Sequence, residues 1–339
     1  MSSDPLILSI ESSCDDTSVA VLRGRKVLSN VVSSQKVHEK YGGVVPELAS
    51  RAHQKNIVPT IDIAVKKAGV ELKELDAVAF TVGPGLLGSL LVGVSFAKSL
   101  ALALKVPMIT VNHMEAHILA HFVESEKAIP SCPFICLTVS GGHTQLVEVK
   151  SPYEFVVHGE TIDDAAGEAF DKIAKIMGLP YPGGPVLDKL AKEGNSEAFT
   201  FSLPKVGGYD YSFSGLKTSV LYFLQKEMKK NSSFIEENKS DLCASVQKAI
   251  LDVLFIKLEV LVKDMSLNKI AIAGGVSANS ELRARLDLKK EAGWSVFLPD
   301  IEYCTDNAAM IGIAAYYKYL KQDFAEISVA AQARLKIAK

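Results

Sequence analysis

Two histidines four residues apart, His113 and His117 in Val111-Asn112-His113-Met114-Glu115-Ala116-His117, are the side chains of this sequence best suited to holding a metal ion. At that spacing on a helix they leave from one face, and Asp306 in Cys304-Thr305-Asp306-Asn307 is the candidate third ligand. His121 continues the face by another four positions, so spacing alone does not decide which two of the three histidines bind. A pair of surface histidines on an amphipathic turn has the same pattern. Two imidazoles and a carboxylate leave coordination positions for substrate oxygen and suit iron(II) or zinc(II), whereas a closed cysteine-rich set is structural. The cysteines at 14, 132, 136, 243 and 304 have no C-x-x-C spacing and read as free thiols of a reducing cytoplasm.

Anion chemistry is the second theme. Glu11-Ser12-Ser13-Cys14-Asp15-Asp16 puts acids and hydroxyls at the tip of a turn, and Ser140-Gly141-Gly142-His143 forms a small, polar tip of its own. Gly83-Pro84-Gly85 and Gly274-Gly275 each follow an apolar run and precede a helical one. Strand, glycine loop, helix is the order in which α/β proteins present backbone amides to a phosphate.

Such loops need strands to feed them, and the hydrophobic pattern supplies these. Residues 6–10, 17–22 and 26–32 read as a three-stranded meander, 46–67 as a helix interrupted or kinked at Pro59, and 77–82 as a strand entering Gly83. A small-residue helix, 87–104, and a strand, 107–111, deliver the chain to His113. After the polar linker 124–131 the pattern restarts with strands at 134–139, 144–149 and 153–158, then a helix at 165–177 containing Glu168 and Asp171. The loop Tyr181-Pro182-Gly183-Gly184-Pro185 follows, and Asp188 opens the next helix. An irregular aromatic excursion over 199–214 precedes long helices at 216–229 and 241–264. A strand at 269–273 enters Gly274, a helix starts near Ser280, 294–298 is a last strand, and 305–319 is a last helix with Asp306 in its first turn. Thr17-Ser18-Val19-Ala20-Val21 aligns with Thr144-Gln145-Leu146-Val147-Glu148, so the same hairpin design occurs twice, chance similarity being the alternative, and two halves are expected, 1–125 and 126–339, with the final helix able to pack back on the first.

A length of 339 residues exceeds what one core usually holds, and 48% hydrophobic residues with no low-complexity stretch is globular composition. Met1-Ser2-Ser3-Asp4-Pro5 carries no basic region, and no stretch approaches the about 18 apolar residues of a membrane span; a cytoplasmic protein without membrane contact is expected. The net charge of -2 excludes a surface dedicated to coating nucleic acid. An RNA partner would be held by a local patch or with help.

The motif set Glu11-Ser12-Ser13-Cys14-Asp15-Asp16-Thr17, Gly42-Gly43-Val44-Val45-Pro46-Glu47-Leu48-Ala49-Ser50-Arg51, His113-Met114-Glu115-Ala116-His117, Ser140-Gly141-Gly142-His143-Thr144 and Cys304-Thr305-Asp306-Asn307 resembles that of the TsaD family of bacterial tRNA threonylcarbamoyladenosine synthesis proteins. Gly167-Glu168-Ala169-Phe170-Asp171-Lys172, the Tyr181 to Pro185 loop and Gly274-Gly275-Val276-Ser277-Ala278-Asn279 extend the likeness over nearly the whole chain. The resemblance implies the actin-like fold of Hsp70 ATPase domains and sugar kinases, with a nucleotide held between two α/β halves. It implies transfer of a threonylcarbamoyl group from threonylcarbamoyl-adenylate to N6 of the adenosine 3′ of the anticodon, in tRNAs reading codons that begin with adenine, with AMP released. It implies one iron(II), zinc being the alternative, on His113, His117 and Asp306. The adenylate would be bound by Thr138, Val139, Ser140, Gly141, Gly142, Asp171, Gly184, Asp188 and Asn279. Its implied partners are tRNA, an actin-like paralogue (TsaB) and a small P-loop ATPase (TsaE). The apolar, small-residue helices at 87–104 and 114–122 are the expected paralogue contact, burial in the chain's own core being the alternative.

Other readings are a metalloprotease, an actin-like ATPase or kinase, and a non-catalytic paralogue. A zincin places its glutamate directly after the first histidine, and here Glu115 is two residues on. A kinase would not need the histidine pair. The general base is not identified; Glu11, Asp15 and His143 are the candidates by position.

Overall fold

Apolar runs buried on both faces form the centre of two sheets in the computed structural model, which describes residues 4–337. The first sheet contains β1 (Leu6–Glu11), β2 (Thr17–Arg23), β3 (Lys26–Ser33), β4 (Ala77–Gly83) and β5 (Met108–Asn112) in the order β3-β2-β1-β4-β5. β1 to β3 pair antiparallel, and β4 and β5 run parallel to β1. The second sheet contains β6 (Phe134–Val139), β7 (Thr144–Ser151), β8 (Glu154–Glu160), β9 (Lys269–Ala273) and β10 (Ser295–Phe297) in the order β10-β9-β6-β7-β8. It repeats the first, with an antiparallel β6-β7 pair followed by β9 and β10 in parallel. Thr17 and Thr144 each open the returning strand of the hairpin.

Two compact units carry these sheets. One comprises the chain up to Pro130, Ser151–Phe155 and the chain from Pro299 on; the other comprises Ser131–Lys150 and Val156–Leu298. In the first, α1 (Pro46–Ala68) and α2 (Leu87–Leu104) set Ile57, Ile61, Ala64, Val94, Ala97 and Ala101 against Leu8, Ile10, Val19, Val21, Val78 and Phe80. α3 (His113–Leu119) follows β5, and α10 (Ala308–Leu320) crosses β1 and β2 so closely that a Cβ on Gly312 would stand 2.3 Å from Leu22 Cδ1. In the second, α4 (Ala166–Ile176), α5 (Gly183–Ala191), α6 (Ser214–Met228), α7 (Phe234–Glu237), α8 (Lys239–Met265) and α9 (Ser280–Glu291) surround a core of Ile135, Leu137, Phe170, Leu187, Leu254 and Ile270.

Several expectations are corrected. Of the two alternatives at Pro59 the interruption is overturned: α1 runs through the proline as one helix, with Ile57, Thr60, Ile61 and Ala64 buried on both sides of it. Asp188 lies inside α5, which starts at Gly183. Asn307 caps α10, so Asp306 precedes that helix instead of standing in its first turn. α3 ends at Leu119 and passes into a 3-10 turn, Ala120–Phe122, which takes His121 off the helical repeat. Among the described residues one helix, α2, is long and apolar enough to cross a membrane, contrary to the reading of the sequence. Its inner face, Leu90, Gly93, Val94, Ala97 and Ala101, lies in the core.

Candidate functional site

β5 turns directly into α3 because the last residue of the strand caps the helix: Asn112 Oδ1 accepts from Met114 N at 2.9 Å and from Glu115 N at 3.4 Å. His113 and His117 therefore share one face of a single turn, both buried, with their rings edge to face at 4.7 Å between centroids. Asp306 arrives by another route. Asn307 Oδ1 accepts from Met310 N at 3.0 Å, Ser18 Oγ accepts from Ala308 N at 2.9 Å, and Ser9 Oγ donates to Ala308 O at 2.7 Å. These bonds tie the start of α10 to β1 and β2 and bring Asp306 Oδ1 to 3.1 Å from His117 Nε2 and 3.4 Å from His113 Nε2. Among the described residues these three form the group able to hold a metal ion, one ligand atom from each lying within 4.8 Å of the others. His121 is not part of it.

Glu11 stands behind His113. Its Oε2 lies 3.0 Å from His113 Nδ1 and accepts from Thr81 Oγ1 at 2.5 Å, and its Oε1 accepts from Ser13 N at 2.5 Å. A carboxylate on Nδ1 fixes the ring and leaves Nε2 to face the ion. Burial alone would raise the Glu11 carboxyl, but the charge and hydrogen bond of His113 hold it below its usual range. Burial opposes the charge on His113 too, yet Glu11 and Asp306 raise it well above its ordinary value. Asp306 is pushed far down, against burial, by His113 and His117. Two carboxylates thus already stabilise positive charge at this spot, so a divalent cation on the two Nε2 atoms and Asp306 fits the site. His117 Nδ1 is buried without a hydrogen-bond partner, so that ring is held from its Nε2 side only.

The loop before β2 is pinned by His53, whose Nε2 donates to Cys14 O at 3.0 Å and whose Nδ1 accepts from Thr17 Oγ1 at 2.7 Å. Burial moves this imidazole below its ordinary titration range. On the same loop, burial and the charge of Asp15 raise the Asp16 carboxyl to about 6. Its neutral form is favoured in the fold, so the stability it contributes is present below its ordinary 3.8 and is lost as pH rises through about 6. Asp16→Asn is expected to raise the unfolding free energy at pH 8 by on the order of 1–3 kcal/mol and to change little at pH 4. Denaturant unfolding at the two pH values measures this, and equal effects at both would contradict it.

The residues expected to bind the adenylate all lie in the second unit. Thr138 and Val139 end β6, and Ser140 N closes the turn by donating to His143 O at 2.8 Å. Gly141 and Gly142 are exposed, with open space where a Cβ would be. At Gly274, with φ +86°, a Cβ would stand 2.6 Å from Val139 O, so glycine brings the β9 loop against the end of β6. Asp171 Oδ1 accepts from Gly183 N at 2.8 Å and Gly184 N at 3.0 Å, which starts α5. Asp188 accepts from Ser280 N at 3.2 Å and Ser280 Oγ at 2.8 Å; Asn279 Oδ1 accepts from Leu282 N at 2.9 Å while its Nδ2 donates to Gln247 Oε1 at 2.8 Å. These three polar side chains thus brace the starts of α5 and α9. The sequence reading missed Thr81, Asn112 and His53. A threonine inside an apolar strand and an asparagine immediately before a helix were the signals for the first two.

One five-stranded topology repeated in two units, with a buried His-His-Asp group in the first, defines an actin-like α/β protein equipped to bind a metal. The fold is shared with full-length HypF, with a TM-score of 0.61 at 16% identity over 94% of this chain and 47% of that one. It is also shared with component A of the Acidaminococcus fermentans (R)-2-hydroxyglutaryl-CoA dehydratase, with a TM-score of 0.54 at 13% identity over 94% and 100% of the two chains. The family model described as TsaD, tRNA N6-adenosine threonylcarbamoyltransferase, matches residues 26–313. Proteins of that name from Christiangramia forsetii and Riemerella anatipestifer are 60% and 58% identical, over 97% and 98% of this chain and 98% of each relative. The chain belongs to the TsaD family of tRNA N6-adenosine threonylcarbamoyltransferases.

Proposed function

We propose that this chain transfers the threonylcarbamoyl group from threonylcarbamoyl-adenylate to N6 of the adenosine 3′ of the anticodon, in tRNAs reading codons that begin with adenine. The observation that carries the reading is the convergence of His113, His117 and Asp306 on one point in a chain that matches the transferase family along its length. In the reaction N6 attacks the carbamoyl carbon, the bond from that carbon to the phosphate oxygen breaks, AMP leaves, and one N6 proton is lost. The N6 lone pair is delocalised into the ring, so holding the two reactants in line supplies a large share of the rate. His113, His117 and Asp306 would hold iron(II) or zinc(II), which would supply Lewis acidity when bound.

The chain's own groups divide the remaining work. Glu11 and Ser13 orient His113, the β6-β7 turn with Gly141 and Gly142 offers backbone to the adenylate, and Asp171, Gly184, Asp188 and Asn279 set the loops around it. Glu11 is committed to Thr81, Ser13 and His113, which leaves Asp15 and His143 as groups to receive the N6 proton.

The paralogue TsaB would cover α1 and α2, where Val58 is 59%, Leu91 48% and Leu102 71% exposed. The stretch 114–122 is excluded from that role, since Met114, Ala116, Ile118, Leu119 and Phe122 are buried in the chain's own core. With 37 basic against 39 acidic residues, productive tRNA binding calls on partners, the P-loop ATPase TsaE among them, in the cytoplasm where tRNA resides. Incubating the chain and these partners with adenylate and unmodified tRNA, then analysing nucleosides, tests the reading. Formation of threonylcarbamoyladenosine and AMP is expected, and ATP or peptide hydrolysis without modified nucleoside would overturn it.

A further inference from the structure

The segment after α10 returns along the first sheet and ends on the residue that caps the metal helix. Ala325 N donates to Met108 O at 2.8 Å, Lys98 Nζ donates to Val329 O, Gln332 N donates to Val82 O at 2.7 Å, and Ala333 O accepts from Gly85 N at 3.2 Å. Lys336 O then accepts from Asn112 Nδ2 at 2.9 Å, and Ile337 is buried. The approach is close: a Cβ on Gly83 would stand 1.9 Å from Gln332 O. Asn112 therefore uses both ends of its amide, the oxygen on the start of α3 and the nitrogen on this segment.

We propose that residues 325–337 are a positioning strap, which locks Asn112 and thereby sets the start of α3 so that His113 and His117 aim at Asp306. The proposal rests on the reading of these three residues as a metal centre. α3 has seven residues, too few to hold its own geometry, and depends on its cap and its packing. Without the strap, the amide nitrogen of a side chain only 8% exposed loses its partner, and the side chain turns away from the helix to find another. The imidazoles ride on that turn. Metal affinity responds to such outer contacts by about 10–100-fold.

Two full-length variants separate the strap from the cap. Asn112→Ser keeps a capping oxygen and loses the amide donor to Lys336 O, while Gly83→Ala pushes the strap off β4 and keeps asparagine at position 112. Cobalt(II) titration followed by its visible d–d bands is expected to show about ten-fold or greater loss of affinity in both, with altered bands. Hydrogen exchange at the Met114 and Glu115 amides is expected to accelerate in both. Circular dichroism checks the fold, and if Gly83→Ala does not fold, Asn112→Ser decides. Parent-like cobalt affinity and parent-like exchange in Asn112→Ser would overturn the strap. Failure of the parent chain to bind cobalt would instead overturn the metal centre, and exchange at Met114 and Glu115 would still decide whether the strap sets α3.

Discussion

Asp306→Ala is expected to purify without bound metal and to lose about 10²–10³-fold or more of its transfer rate, the order that removal of one principal electrostatic stabiliser brings. The Asp306 side chain is 29% exposed and the start of α10 is held by Asn307, Ser9 and Ser18, so the fold keeps its shape without this carboxylate. His113→Ala should lose metal and activity as well, but it is the less clean test. Removing that ring leaves the Glu11 carboxylate buried with no cation beside it, which costs about 3–5 kcal/mol. His121→Ala should retain both metal and activity, since His121 is outside the ligand group. Metal content by mass spectrometry and nucleoside analysis of the treated tRNA measure the set. Full metal occupancy in Asp306→Ala would sink the assignment of the centre.

The elements were legible where periodicity was strong. β6 and α2 begin and end where the apolar pattern does, and the duplicated hairpin was visible because Thr17 and Thr144 open equivalent strands. Helix starts were legible only in part, since they depend on side chains distant in sequence. α5 begins at Gly183 because Asp171 accepts its first amides, and the start of α10 is fixed by Ser9 and Ser18, about 300 residues upstream. No local pattern carries that information. The same holds for the His-His-Asp group: i, i+4 spacing pointed to histidines on one face without deciding which two, and Glu11 and Thr81 lie 102 and 70 positions from the atoms they meet. His121 was indistinguishable from His113 and His117 until α3 was seen to stop at Leu119, where the chain passes into a 3-10 turn. Asp171, Asp188 and Asn279 carry a different lesson. Helix bracing and ligand contact favour the same residue types at the same loop positions, and sequence alone does not separate them.

Glu11→Ala is expected to destabilise the fold by about 3–5 kcal/mol, as much as His113→Ala. The carboxylate is fully buried and serves three groups, so its removal leaves the Thr81 hydroxyl and the Ser13 N–H without partners where water does not replace them, and leaves His113 Nδ1 with Ser13 Oγ alone. Glu11→Gln is the informative companion. It preserves shape but takes away the charge, and its amide NH₂ faces at least one donor. In the metal-free chain the raised His113 contributes stability that is complete below its ordinary 6.5 and is lost as pH rises through its folded value. The lowered Glu11 contributes stability present above its ordinary 4.5 and lost as pH falls through its own folded value. The difference between parent and Glu11→Gln should therefore be greatest between about pH 4.5 and 6.5 and shrink on either side. Urea unfolding of the metal-free proteins across that range, with the His113 imidazole followed by NMR, makes the measurement. The His113 titration is expected to move down in the variant. A titration that stays in place, or a stability difference that is flat with pH, would show that Glu11 fills space behind the histidine without fixing its charge.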